Sequence, residues 1–347
     1  MATACAGDPA PELVLRAVDR QALARRAALL AAVAAAAVAA VVVAGGPLRT
    51  FADALSRALA ADPRWVAAAA GFELLSFAGY IALFWLVAGR ATARLGLAAS
   101  AEVTLGGAAA TRLLPTGGVG GAALTVWALR RAGLGTREAT RTLLGFLVIL
   151  YSVFLGAIAA TGGALALGLV PGDGPLALSA VPAAAATLAI AAALALAAGR
   201  PAGRARAGLP IGAAVRDAIG LLRSGDARLL GAVAWWAFDA AVLWAMLHAL
   251  GAPPPLAVVA LSYFVGQVAN TIPAPGAVSG GMVGVLLAFG VETDLALAAV
   301  LAYRSIAIWL PAPIGLVALG RLRRTVARWS APPITATPAG AARAAPR

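Results

Sequence analysis

Arg112-Leu-Leu-Pro-Thr-Gly-Gly-Val-Gly-Gly121 interrupts an apolar stretch running over 96–129, and Ile272-Pro-Ala-Pro-Gly-Ala-Val-Ser-Gly-Gly281 does the same to 256–290. A proline removes a backbone donor and collides with the preceding turn, and neighbouring glycines supply no side chain to hold a helix together. A helix arriving at either segment therefore stops, at Pro115 in one and across Pro273 to Pro275 in the other. The apolar helices that resume, about 120–131 and 277–289, have 12 or 13 residues and reach only about 18–20 Å. A bilayer core of about 30 Å needs about 20 residues. Each interrupted stretch is thus expected to enter the membrane and turn back as a re-entrant hairpin, with its free backbone amides facing protein or water.

The rest of the chain sets the context for those two hairpins. Of 347 residues, 62% are hydrophobic and only 12% charged, too few to wet the surface of a soluble domain of this size. Apolar runs near 27–44, 65–89, 141–169, 176–198, 229–250 and 295–319 are each long enough to cross a bilayer. The expected fold is all-α: a polytopic helical membrane protein with about six full spans and two re-entrant hairpins. The first run follows a polar lead, 1–26, that is long for a cleaved signal, so it reads as an uncleaved anchor. Residues 27–320 form the transmembrane domain, and the basic segment 321–347 reads as a cytoplasmic tail without apolar periodicity.

All 27 basic residues are Arg, against 14 acidic ones, giving a net charge of +13. The arginines are dispersed between apolar runs without interleaved aromatics, which excludes a nucleic-acid platform and points to topology and anionic headgroups. Arg16, Arg20, Arg25 and Arg26 hold the N-terminus inside, and the clusters at 90–94, 130–141, 200–228 and 321–328 are inside with it. Pro171-Gly-Asp-Gly-Pro175, Gly251-Ala-Pro-Pro-Pro255 and the acidic turn at Val291-Glu-Thr-Asp294 read as outside, while Arg49, Arg57 and Arg64 run against the scheme. The first hairpin then starts and ends inside, and the second starts and ends outside.

Setting Pro115 against Pro273 also brings Gly133 within one position of Gly290, and Gly71-Phe-Glu73 has a looser counterpart in Ala237-Phe-Asp239. A composition so rich in Ala, Gly and Leu makes segments resemble one another by default. The flanking charge nevertheless changes sign while the apolar pattern persists, as an inverted-topology repeat requires.

The chemistry available at the breaks is anion binding. A buried helix N-terminus carries about half a positive charge and several free N–H donors, and Arg112 would add charge-assisted bonds to a phosphate. The candidate binding set is Arg112, Pro115, Gly117, Gly118, Gly120 and Gly121 in the first half, with Asn270, Pro273, Pro275, Gly276, Gly280 and Arg304 in the second. Gly117, Gly121, Gly276, Gly280 and Gly284 are equally readable as small-residue packing contacts. Arg304 inside an apolar run costs roughly 2.5–3.5 kcal/mol on insertion scales, so it is expected to face the interior and meet an acid, Asp239 or Glu73. Gln267 and Tyr303 are further candidate buried partners; a static ion pair fixing helix register is the plainer alternative.

No metal site or catalytic group emerges. The single histidine, His248, reads as interfacial, the single cysteine, Cys5, lies in the polar lead, and the tryptophans suit an interfacial belt. No cofactor is expected, and no Lys follows the glycines to make a nucleotide loop.

These motifs, together with Arg131-Ala-Gly-Leu134 and its spacing to Arg141, and Tyr303-Arg304 followed by Trp309-Leu-Pro311, resemble the transmembrane domain of lysylphosphatidylglycerol synthases over roughly 20–320. That family is flippase-like and includes stand-alone bacterial and archaeal membrane proteins. The resemblance implies movement of a lipid, often aminoacylated or glycosylated, between leaflets, with membrane lipids as partners and lipid or cell-wall biosynthesis enzymes as neighbours. The second motif departs from the family pattern: Ala277 and Ser279 replace glycines, and the place of a family Glu falls near Met282. The soluble aminoacyl transferase domain of the full synthases has no counterpart in these residues, so a carrier rather than an enzyme is expected. The rivals are a membrane-embedded glycosyl or polyprenyl-phosphate transferase, whose candidate acids Asp53, Asp62, Glu102 and Glu138 are scattered, and a non-transporting accessory protein.

Overall fold

The computed structural model describes residues 56, 60–113, 119–198, 210–251, 253–271 and 276–330, and every regular element among them is helical. In chain order these are α1 (Pro63–Ala91), α2 (Leu97–Leu113), α3 (Val119–Arg131), α4 (Thr136–Ala166), α5 (Leu176–Ala198) and α6 (Pro210–Leu222). They continue with α7 (Leu230–Ala249), α8 (Leu256–Val268), α9 (Ala277–Ala288), α10 (Thr293–Trp309) and α11 (Pro311–Ser330). The expected span at 27–44 lies outside the described residues.

Five stretches are long and apolar enough to cross a bilayer: α1, α4, α5, the α7 region, and the α10–α11 rod over Thr293–Trp329. Their starts are set by local chemistry. Asp62 caps α1 by accepting from the Arg64 amide at 2.9 Å, with Pro63 in the first turn where its missing N–H costs nothing. Asp226 accepts in the same way from Arg228 at 3.0 Å, ahead of the 3-10 turn that leads into α7. Short turns through Gly133 and Gly290, at φ of 105° and 79°, end α3 and α9 in the left-handed region that glycine enters without a Cβ penalty.

Two expectations need correction. The span placed at 295–319 falls within the rod over Thr293–Trp329, which is interrupted at Leu310, because Pro311 cannot donate to the carbonyl four residues back, before α11 resumes. That rod then stays helical to Ser330, past Arg321 where the tail was placed. The stretch 200–228, read only as a basic inner loop, contains the amphipathic helix α6, which packs its apolar face on α4 and α5.

The core lies where α1 and α7 cross, the most extensive helix pair in the molecule. A Cβ built at Gly79 would stand 2.7 Å from both the Gly231 carbonyl oxygen and Ala234 Cβ, so only glycine lets the two backbones approach this closely. Phe72 stacks on Phe238 with centroids 6.0 Å apart, Phe77 meets Trp235 edge-on at 5.2 Å, and Trp65 meets Trp244 at 5.3 Å. As the number rises along α1 its partner's number falls along α7, so the two helices run antiparallel. By contrast α5 buries little of its surface, and leaves Val181 and Leu188 exposed.

The two ends of the bundle differ chemically. At one, Arg90 lies 3.8 Å from Asp226, the Arg228 guanidinium sits 4.7 Å over the Trp85 ring, and Arg141 forms a two-point bridge to Asp217 at 2.6 and 2.7 Å. At the other, the Asp62 amide donates to Ala249 at 3.2 Å, and His248 packs between Trp65 and Trp244 at 4.7 and 4.1 Å. Trp236, by contrast, is buried mid-helix and donates to the Leu150 carbonyl at 2.8 Å, so it belongs to the core and not to a belt.

Candidate functional site

Helix lengths define the hairpins first. The arms α2 and α3 have 17 and 13 residues, and α8 and α9 have 13 and 12, so each arm is about 18–26 Å long and short of a bilayer core. With Pro115 set against Pro273, the start of α3 at Val119 falls on the start of α9 at Ala277, and the starts of α2 and α8 agree to one residue. Within the hairpins the arms pack through glycine: a Cβ at Gly121 would stand 2.7 Å from the Gly107 carbonyl oxygen, and one at Gly281 would stand 3.0 Å from Gly266 Cα.

Both ends of each hairpin come back to the same place. The Thr92 hydroxyl, just before α2, donates to the Ala132 carbonyl just after α3 at 3.3 Å, at the arginine-rich end. The loop 171–175 receives both ends of the second hairpin at the aromatic end: Gly172 lies against Val258 early in α8, and a Cβ at Gly174 would stand 2.5 Å from the Phe289 ring after α9. The helix α4 runs from one of these ends to the other, from Thr136 beside the first hairpin to the 171–175 loop. Each hairpin also leans on the far half of the chain, α2 on α11 and α8 on α4.

Between the two ends lies a buried polar cluster. Asp239, in the middle of α7 and 3% exposed, accepts a short hydrogen bond from the Tyr263 hydroxyl of α8. The Tyr303 hydroxyl of α10 stands 3.3 Å from both carboxylate oxygens, and the Gln267 amide nitrogen lies 3.3 Å from Tyr303 and 3.5 Å from Asp239. Two helices, α8 and α10, are thus tied by neutral donors to one carboxylate of α7. Asp239, Gln267 and Tyr303 were legible as buried partners; Tyr263 was missed, although it lies one turn before Gln267 on the same face of α8.

The remaining candidates are distributed as follows. Arg304, half-buried on α10, makes no ion pair or hydrogen bond among the described residues, which corrects the expectation that Asp239 or Glu73 would neutralise it. Tyr303 takes the inward direction, and the next side chain points about 100° around the helix. Glu73 is 1% exposed on α1 and lines a cavity of about 180 Å³ with Leu105 of α2 and Pro311 and Ile314 of α11. Asn270 is exposed in the 3-10 turn after α8, and Gly276 caps α9 at φ 79°. At Gly280 and Gly284 no atom of the described residues lies within 4 Å of where a Cβ would go, so close packing among those residues does not explain them. Arg112 ends α2 with its side chain outside what is described, and Pro115, Gly117, Gly118, Pro273 and Pro275 lie outside the described residues altogether.

The acids considered for transferase chemistry are far apart in role. Asp62 caps α1, Glu102 of α2 lies 3.5 Å from Arg321 of α11, and Glu138 lines a cavity of about 260 Å³ at the arginine-rich end with Arg90, Arg141 and Asp217. Asp53 lies outside the described residues. No group of three or more His, Cys, Asp or Glu among the described residues is arranged to hold a metal ion.

No curated protein shows significant similarity to the chain. The model of the lysylphosphatidylglycerol synthase TM region matches residues 27–315, from the first apolar run, through both hairpins and the central cluster, to just beyond the Pro311 break. A match of that extent, over the elements whose geometry is described above, makes this chain a member of the lysylphosphatidylglycerol synthase transmembrane-region family.

Proposed function

We propose that the chain is a lipid carrier of flippase type, and not an enzyme, which binds an anionic headgroup between its two hairpins and exposes it alternately to the two leaflets. The observation that carries this reading is the hairpin geometry. One hairpin begins and ends at the arginine-rich end of the bundle, and the other begins and ends at the aromatic end. The second arms of the hairpins, α3 and α9, then run toward opposite ends of the bundle, which supports an inverted repeat. Each first turn carries the positive end of its helix dipole, which favours an anion. Arg304, without an acid partner among the described residues, supplies a cation in the same layer, and Arg112 stands at the mouth of the first break.

By the distribution of basic residues the arginine-rich end faces the cytoplasm, with both termini on that side of a bacterial cell membrane. The lipid is an anionic one, and an aminoacylated or glycosylated headgroup is the variety that membership of this family favours. The test is transbilayer movement of a headgroup-labelled anionic lipid in proteoliposomes. Movement is expected in the wild type and lost in Arg112→Ala and Arg304→Ala at equal reconstitution; equal movement in all three contradicts the reading.

A further inference from the structure

The central cluster has a composition that headgroup binding alone does not require. Asp239 is 3% exposed, and among the groups that bond it are three neutral ones, two phenols and an amide. An ionised carboxylate accepts from all of them; a protonated one turns one acceptor position into a donor. Taking up a proton therefore reverses one of these bonds, with a phenol oxygen free to accept from the acid, and removes the charge assistance from the ties between α7 and both α8 and α10.

The cluster also adjoins the groups assigned to the headgroup. Gln267 stands just before the turn at Ala269–Thr271 where the second hairpin breaks, and Tyr303 immediately precedes Arg304. The charged and titratable groups on the helices packed against α7 are few at this level. They are Glu73 on α1, next to the Phe72 that stacks on Phe238, and Tyr80 on α1, whose ring lies 4.3 Å from Trp235; Tyr303 and Arg304 on α10; and Tyr151 on α4, whose ring lies 5.9 Å from Trp236; α8 contributes Tyr263 and no charged residue. An anionic headgroup arriving beside Arg304 adds negative charge to a low-dielectric region already holding Asp239. One proton taken up by Asp239 cancels that addition.

We propose that Asp239, ringed by Tyr263, Tyr303 and Gln267, is a proton-binding site linked to headgroup binding, so that each anionic lipid carried takes up one proton. The step is an acid–base one: a proton from water joins one carboxylate oxygen, the carboxylate becomes a carboxylic acid, and nothing is oxidised. It rests on the carrier reading given above for its physiological sense, but the proton site is measurable without transport. Linkage is reciprocal, so anionic lipid must ease protonation of Asp239 by the same factor that protonation tightens lipid binding.

The experiment has two arms on the full-length chain. In nanodiscs, infrared titration of the wild type should show a protonated-carboxyl component that grows as pH falls, is missing from the difference spectrum of Asp239→Asn, is retained in Asp239→Glu, and shifts to higher pH when phosphatidylglycerol replaces phosphatidylcholine. A band unchanged in Asp239→Asn, or a titration indifferent to the lipid, overturns the proposal. In proteoliposomes, movement of labelled phosphatidylglycerol should change several-fold with the sign of an imposed pH gradient and lose that response in Asp239→Asn. Movement that ignores the pH gradient, or follows a sodium gradient in its place, overturns the proposal and leaves the carrier standing. No movement at all refutes the carrier, and the infrared arm still decides the proton site.

Discussion

Replacing Gly79 by alanine isolates the contact on which the bundle is built. The new Cβ would stand 2.7 Å from the Gly231 carbonyl oxygen and 2.7 Å from Ala234 Cβ, and 3.1 Å from the Trp235 amide nitrogen. Two of those three atoms are backbone, so α1 and α7 must separate instead of a side chain yielding. Overpacking of this kind costs about 1–3 kcal/mol. Alanine is also a better helix former than glycine by about 0.8–1.0 kcal/mol, which would mask part of the loss. Gly71→Ala on the same helix supplies the reference, because nothing lies within 4 Å of a Cβ there. Subtracting one variant from the other cancels the propensity gain and leaves the collision, about 1–3 kcal/mol, or about 5–150-fold in the unfolding equilibrium. Unfolding of the two purified variants in one detergent, followed by tryptophan fluorescence, reads this directly, since Trp235 and Trp236 sit at the crossing. Equal stabilities for Gly79→Ala and Gly71→Ala would refute the close antiparallel packing of α1 on α7.

Other outcomes follow from the same geometry. Gly276→Ala forces a side chain into φ 79° at the start of α9 and should cost about 1–2 kcal/mol in the same unfolding assay, whereas Gly280→Ala, with open space at its Cβ, should be neutral or stabilising. Tyr263→Phe removes a buried bond to a carboxylate and should cost about 1.5–3 kcal/mol, while phenylalanine keeps the edge-on contact with Phe264 at 5.0 Å. Asp226 is held down to about 2 by its hydrogen bonds from Arg228, so its folded value lies below its ordinary one. The stability it adds is complete above the ordinary carboxylate range and is lost as pH falls from about 4 through about 2; Asp226→Asn should flatten the acid limb of an unfolding-versus-pH profile in that window.

How much of this was legible beforehand depended on how local the signal is. Proline and glycine act on their own backbone, so the ends of α2, α3, α8 and α9 were readable within a few residues from Pro115, Pro273 and Pro275. The span at 176–198 was readable for a related reason: it is apolar on every face and little of it is buried, so burial adds little to what hydropathy says. The helix α6 was hidden because 200–228 was weighed for charge alone, and its apolar face has meaning only once α4 and α5 stand beside it. The break at Leu310 was masked by an apolar pattern that continues through Pro311. Side-chain direction was the least legible property. Tyr303 and Arg304 are neighbours in sequence, yet only the tyrosine reaches Asp239, and the pairing of opposite charges in the sequence says nothing of that rotation. Tyr263 was overlooked because a single tyrosine in an apolar run looks like packing, although its one-turn spacing from Gln267 marks a polar face aimed at Asp239.

The most direct test of the account is where the hairpin ends emerge. In a Cys5→Ser background, single cysteines at Asp173 and Val291 should react with a membrane-impermeant maleimide from outside intact cells, and cysteines at Arg94 and Gly133 should react only after permeabilisation. Labelling of all four from the same side would place both hairpins on one face and contradict a headgroup site built from opposed helix ends.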